Sequence, residues 1–66
     1  MEEKISMKEV PTVVMLSFQA HYSNILYEDW ITKVENGKTI YEAVWISGSR
    51  THRTSFDESG KLLKDK

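Results

Sequence analysis

The chain has 66 residues, of which 39% are hydrophobic and 29% charged, a composition typical of one small folded domain. Nine lysines and arginines balance ten aspartates and glutamates, and the net charge of -1 excludes the basic field of a dedicated nucleic-acid-binding protein. There is no cysteine, which excludes disulfides and thiolate metal sites, so two Trp, three Tyr and two Phe must supply much of the buried surface.

The start of the chain lacks a targeting pattern. Met1-Glu2-Glu3-Lys4 stands where a signal peptide would have a basic segment and then an apolar stretch, so no signal is predicted in the chain as given. No apolar run is long enough to cross a bilayer, and no membrane insertion is expected.

A short helical piece and a main helix are predicted next. A helix begun at Ser6 would place Pro11 in its interior, which costs about 3 kcal/mol, so residues 6–10 are read as a turn or separate short helical piece. Pro is well tolerated at the first helical position, and the main helix is therefore predicted from Pro11 to about Tyr22.

The main helix is apolar on two sides. At about 100° per residue, its core-facing stripe consists of Val10, Val14, Phe18 and Tyr22, with Met15 beside them. A second apolar line lies on nearly the opposite side, and we call it the outer helix stripe: Val13, Leu16 and Ala20. No Lys, Arg, Asp or Glu occurs between Pro11 and Asn24, where a surface helix is usually charged. The stripe is therefore predicted to mediate self-association.

The second part of the chain is predicted to form strands joined by tight turns. The predicted strands are Ile25–Glu35, Lys38–Ser47, Arg50–Phe56 and a short last piece, Lys61–Lys64, whose pairing the sequence leaves open. The predicted turns are Asn36-Gly37 of type I′, Gly48-Ser49 of type II′, and Asp57-Glu58-Ser59-Gly60. The predicted fold is α+β: over residues 1–66, a single module with one main helix packed on a three- to four-stranded antiparallel β-meander.

The turns predict the register of the sheet. Glu35 opposite Lys38 and Ser47 opposite Arg50 bring five residues to the face that meets the helix: Trp30, Tyr41, Ala43, Trp45 and Phe56. The opposite face, which we call the outer sheet face, carries aliphatic residues among charged ones. Its predicted partner-binding residues are Tyr27, Ile31, Ile40, Val44 and Arg53. The alternative is that β-branched residues favour strands wherever they point.

No catalytic, cofactor-binding or metal-binding residues are predicted. His21 and His52 have neither a metal-ligand spacing nor a cysteine to join them, and no serine lies in a G-x-S-x-G motif. Glu28 and Asp29 are adjacent in a strand and point to opposite faces, so they do not form an acid and base pair. The chain is therefore expected not to be an enzyme and to carry no cofactor.

The chain resembles the PepSY-like family, whose module is similar to that of the beta-lactamase inhibitor proteins. The resemblance covers almost the whole chain and rests on these segments: Val10-Pro11, Phe18, Tyr22, Trp30, Asn36-Gly37-Lys38, Tyr41-Glu42-Ala43-Val44-Trp45, Ser55-Phe56-Asp57 and Gly60-Lys61-Leu62-Leu63. It implies a non-catalytic binding domain that acts through protein contact, inhibition included. It also implies a periplasmic or secreted protein.

The chain departs from the family in ways that affect the expected partners. It contains one module where two in tandem are frequent, Ser23 stands where Pro commonly follows the Tyr, and its outer helix face is apolar where charges are common. The first and third departures predict that a second copy supplies the missing module in a symmetric homodimer.

The alternative function is a small-molecule sensor or carrier domain. Its pocket would lie between the helix and the sheet and be lined by Trp30, Tyr41, Trp45 and Tyr22. Its polar groups would be Glu28, His52 and Thr54.

Overall fold

The computed structural model describes residues 2–65, which form one α-helix packed against a five-stranded antiparallel sheet. The elements are β1 (Glu2–Ile5), a 3-10 turn (Met7–Glu9), α1 (Thr12–His21), β2 (Tyr27–Glu35), β3 (Lys38–Ser47), β4 (Arg50–Asp57) and β5 (Leu62–Asp65). The strands lie in chain order, β1-β2-β3-β4-β5. The predicted α+β class and meander are confirmed, whereas three to four strands were too few.

The strand that sequence analysis missed is β1. Three of its four residues are exposed and two are glutamates, so its composition carries no strand signal. It is a strand because it pairs with β2, from Glu2 opposite Lys33 to Ile5 opposite Trp30. At the other edge, β5 does form and pairs with β4, with an irregularity at Ser55 and Phe56.

The helix begins and ends close to the predicted residues. The carbonyl oxygen of Pro11 accepts hydrogen bonds of 3.0 Å from the N–H groups of Val14 and Met15, and Pro11 is the N-cap of α1. Before it, Met7–Glu9 forms the separate short helical piece. After it, Asn24 adopts a positive φ of 58°, which turns the chain towards β2.

The predicted turns and register are confirmed. Asn36 and Gly37 have φ values of 52° and 76°, as a type I′ turn requires at both positions. Glu35 lies opposite Lys38, and Ser47 opposite Arg50. All other predicted cross-strand pairs follow: Trp30 with Ala43, Thr32 with Tyr41, Glu28 with Trp45, Trp45 with His52, Ala43 with Thr54, and Tyr41 with Phe56.

The core is centred on Phe18 of α1, which is fully buried. Its ring meets Trp30, Trp45 and Phe56 of the sheet edge-on, with centroid distances of 5.1, 5.8 and 6.3 Å. Such edge-to-face pairs contribute about 0.5–1.5 kcal/mol each beyond the area they bury. Val10, Val14 and Ala43 complete the buried cluster.

The β4–β5 turn packs against the first turn of α1. Asp57 Oδ1 accepts hydrogen bonds from the Ser59 hydroxyl, the Ser59 N–H and the Lys61 N–H, and the hydroxyl bond is the main reason why the pKa of Asp57 is lowered. Gly60 follows with a φ of 89°, and a Cβ atom there would lie 2.7 Å from the Val13 carbonyl oxygen. The turn thus joins the sheet to the helix.

Alanine at Gly60 should destabilise the fold more than alanine at Gly37. Both glycines have positive φ, so both substitutions carry the left-handed backbone cost of about 1–2 kcal/mol. Only Gly60→Ala adds a clash, because a Cβ atom added at Gly37 would have no neighbouring atom within 4 Å. We expect urea unfolding to show an additional loss of about 1–3 kcal/mol for Gly60→Ala. Equal losses in the two variants would contradict the helix contact.

Candidate interaction surfaces

The outer helix stripe is accessible in the folded chain. Val13 is 51% exposed and Leu16 is 59% exposed, and Ala20 lies exposed one turn further on. On the opposite side of the same helix, Val14 and Phe18 are completely buried. The structure therefore gathers the three predicted residues on a face that the core does not use.

The helix end next to the stripe carries the only titratable side chain between Pro11 and His21, the imidazole of His21. Its Nδ1 lies 2.8 Å from the Ser17 carbonyl oxygen. A carbonyl accepts only, so this ring nitrogen carries the proton and donates it. The contact holds the imidazole along its own helix.

The outer sheet face places the five predicted residues at different depths. Tyr27 is 54% exposed, Arg53 is exposed, and Ile31 and Val44 are half-buried. Ile40 is only 6% exposed, so it offers a partner almost no surface. Ile40 lies between Lys33 and Asp57 on the neighbouring strands. The alternation of side chains along β3 predicted its face but not its burial.

A shallow groove of about 310 Å³ crosses the outer sheet face between β1 and β3. Ile31 and Val44 are its apolar residues, and the charged residues around them are Glu2, Glu3, Lys4 and Asp29. The groove thus contains two predicted residues, whereas its β1 wall was not predicted because β1 has no strand signal. Its charged groups include three carboxylates and one ammonium.

Asp29 is the best-positioned charged group of the groove. Its Oδ2 accepts a 2.9 Å hydrogen bond from the Tyr27 hydroxyl, and its Oδ1 lies 3.6 Å from Lys4 Nζ. The hydrogen bond to the carboxylate is the main cause of the raised pKa of Tyr27. These contacts fix the carboxylate at the edge of the apolar floor, where it can receive a donor from a bound partner.

The residues of the alternative pocket fill the interior. Trp30 and Trp45 are almost completely buried and pack on Phe18, and Tyr22 lies 4.8 Å from Trp45 between ring centroids. Tyr41 packs against the edge of the same cluster. In the described part of the chain, these side chains contact one another and fill the space between helix and sheet that a ligand would need.

The polar groups assigned to that pocket are also engaged. Trp30 Nε1 donates to Glu28 Oε1 at 2.9 Å, and Trp45 Nε1 donates to Thr54 Oγ1 at 3.0 Å. The His52 ring stacks on Trp45, with centroids 4.3 Å apart. The sequence placed these groups near the tryptophans, but the hydrogen bonds themselves were not predicted. The acceptors lie two and nine residues from their tryptophans in the sequence, and this spacing was the signal that could have indicated them.

Replacing Thr54 with valine should destabilise the domain. Thr54 is fully buried, and the isosteric change leaves the Trp45 indole N–H without its acceptor, at a cost of about 1–3 kcal/mol. Thr54→Ser keeps the hydroxyl and serves as the control. We expect the indole N–H resonance to shift in Thr54→Val and to stay near its native position in Thr54→Ser. The same resonance position in both variants would contradict the hydrogen bond.

Metal sites and membrane-spanning helices are the remaining features to consider in residues 2–65. Across these residues, no group of three or more His, Asp or Glu side chains is arranged to hold a metal ion. The longest helix in this part of the chain has ten residues, and no helix there is long and apolar enough to cross a bilayer. Comparison of the chain with protein-family models, curated proteins and solved structures gave no match. The PepSY-like resemblance therefore stays a prediction.

Proposed function

We propose that this protein is a non-catalytic binding module that acts through protein–protein contact. The observation that carries the proposal is the two-sided helix: Phe18 anchors one face in the core, while Val13 and Leu16 expose about half of their surface on the other. A domain of 66 residues has little apolar surface to spare, so apolar residues left outside are expected to be used in contact with another protein.

The first proposed partner is a second copy of the chain, in a homodimer. The outer helix stripe is flanked by uncharged residues, so two copies meet across a twofold axis with no like-charge repulsion along their helices. If the helices cross antiparallel, their dipoles are also favourably aligned. The helix has ten residues and is about 15 Å long, so the interface is small and the dimer should dissociate on dilution.

The second proposed partner is another protein bound at the outer sheet face. Ile31 and Val44 provide an apolar floor for a side chain of the partner, and the surplus of carboxylates around the groove favours a neighbouring basic group. Tyr27 and Arg53 lie on the same face, Tyr27 beside Asp29 on β2 and Arg53 opposite Val44 on β4. Following the PepSY-like resemblance, we propose that such binding includes inhibition and takes place in the periplasm or outside the cell.

Leu16→Glu should convert the dimer into a monomer. The substitution places two carboxylates at the centre of the proposed twofold interface, while Leu16 is 59% exposed and contributes little to the core. Light scattering over a series of protein concentrations measures the mass, and the monomer is 7.7 kDa. We expect the native chain to approach twice this mass with increasing concentration and Leu16→Glu to remain at the monomer mass.

Gln19→Glu is the matched control, because it adds the same charge to an exposed position on the flank of the same helix. It should weaken the dimer less than Leu16→Glu does. A native chain that stays monomeric at all concentrations would refute self-association through the stripe and would leave the sheet-face proposal standing.

Val44→Glu should weaken partner binding at the outer sheet face. The new carboxylate would lie in the apolar floor of the groove beside Asp29, its cross-strand neighbour. Val34→Glu is the control, since Val34 is an exposed valine on β2 that does not line the groove. Immobilised protein should capture fewer proteins from an extract of the source cells after Val44→Glu than after Val34→Glu. Equal capture would count against the outer sheet face.

A further inference from the structure

A cavity of about 200 Å³ opens on the outer sheet face beside the groove. Every strand contributes to its lining, among others through Glu2 of β1, Lys33 of β2, Glu42 of β3, Ser55 of β4 and Lys64 of β5. Because a cavity of about 150 Å³ holds a molecule as large as benzene, this one is large enough for a small metabolite.

Three polar side chains of different chemistry cross the cavity in one row. Glu42 lies opposite Ser55, and Ser55 lies opposite Lys64. All three line the cavity, so they share one face of the sheet. The row therefore presents a carboxylate, a hydroxyl and an ammonium group in this order on three adjacent strands.

The irregularity between β4 and β5 adds an apolar group to this row. Phe56 pairs with Leu62 and Ser55 pairs with Lys64, so Leu63 is the extra residue of a bulge. Consecutive residues of a regular strand point to opposite faces, whereas a bulge interrupts this alternation. Leu63 and Lys64 accordingly both line the cavity, and Leu63 is 43% exposed there.

Glu42 is a sheltered carboxylate with a weak partner. Its side chain is only 13% exposed, and its contact with the Arg53 guanidinium is loose, at 3.9 Å. Among residues 2–65, none of the side-chain hydrogen bonds involves Glu42. Sheltered carboxylates usually accept hydrogen bonds, so a ligand that brings N–H donors would stabilise this one.

The charges of the cavity balance. Its lining contains three cations and three anions: Lys33, Arg53 and Lys64, and Glu2, Glu35 and Glu42. Equal numbers of both signs favour neither a simple anion nor a simple cation, whereas a zwitterion complements both.

We propose that this cavity binds a free α-amino acid with a short aliphatic side chain. The ammonium group of the ligand donates to Glu42, and its carboxylate accepts from the Ser55 hydroxyl and from Lys64. Its aliphatic side chain packs on Leu63.

This site goes beyond the proposed function, although it shares Ile40 and Arg53 with the outer sheet face. Its ligand is a small molecule, and neither self-association nor capture of a protein is needed for it to bind. Failure of amino-acid binding would leave both protein-contact proposals standing, and a monomeric chain that captures no protein would leave the cavity proposal standing.

The probe is L-leucine, and two compounds of similar shape serve as controls. Isocaproate lacks the ammonium group of leucine, and isoamylamine lacks its carboxylate. In an NMR titration of the native chain, leucine should give saturable shifts of the Glu42, Ser55 and Lys64 amide resonances. Each control should bind at least about tenfold more weakly, because it loses hydrogen bonds to a charged group.

Glu42→Gln tests the ammonium end of the site, because it removes the charge and keeps the size of the side chain. It should weaken leucine about tenfold and reduce the preference for leucine over isocaproate. Glu58→Gln is the matched control: Glu58 is exposed in the β4–β5 turn and does not line the cavity, so leucine binding should stay nearly unchanged.

Lys64→Gln tests the carboxylate end. Lys64 is exposed, so the substitution should preserve the fold while it reduces the preference for leucine over isoamylamine. If circular dichroism shows that Glu42→Gln is unfolded, Lys64→Gln and the two control compounds decide the result.

Three outcomes would overturn the proposal. The first is no saturable shift with leucine, and the second is equal affinity for leucine and both control compounds. The third is a set of shifts confined to Ile31 and Val44, which would assign leucine to the groove.

Discussion

The packing of Phe18 against the rings of Trp30, Trp45 and Phe56 is the interaction on which the rest of this structure depends. An isolated helix of ten residues is not stable in water, so α1 persists because the sheet binds one of its faces. The sheet depends equally on the helix, since without it the two tryptophans would lie in solvent. Each layer therefore requires the other, as is expected when one small core provides nearly all of the burial.

The core is used to stabilise the fold, which is why the proposed contacts lie on the surface. Two of the polar groups that the sequence places in the interior stabilise the core, because Glu28 and Thr54 each accept a hydrogen bond from a buried tryptophan. These bonds satisfy indole N–H groups that would otherwise destabilise the core. What the core leaves exposed includes one helix face and one sheet face. The helix face is uncharged and apolar, whereas the sheet face is apolar with surrounding carboxylates.

The extent to which the sequence predicted this structure depends on where each signal comes from. Asn36-Gly37 and Gly48-Ser49 are local signals, because a turn that needs positive φ accepts few residue types, and each two-residue turn then determines the register of a whole hairpin. The core face followed directly from that register. The helix start followed in the same way from the restricted geometry of Pro11.

The features that escaped prediction depend on neighbours distant in sequence. Nothing in Glu2-Glu3-Lys4 favours a strand, and β1 exists because β2 offers it an edge, so the wall of the groove that β1 builds was missed with it. The face of Ile40 was predicted correctly but its burial was not, because the alternation of a strand gives the direction of a side chain and not how far its neighbours cover it.

The first strand shows how the edge of a small sheet can resist pairing with other strands. At one edge, the short β1 carries Glu2, Glu3 and Lys4, charged side chains that discourage unselective pairing with another strand. A charged edge repels a like-charged copy but still attracts a strand of opposite charge. The charged side chains of β1 therefore restrict which strands could pair with that edge. The outer helix stripe has no charged residue, so the self-association that we propose there must obtain its selectivity from shape.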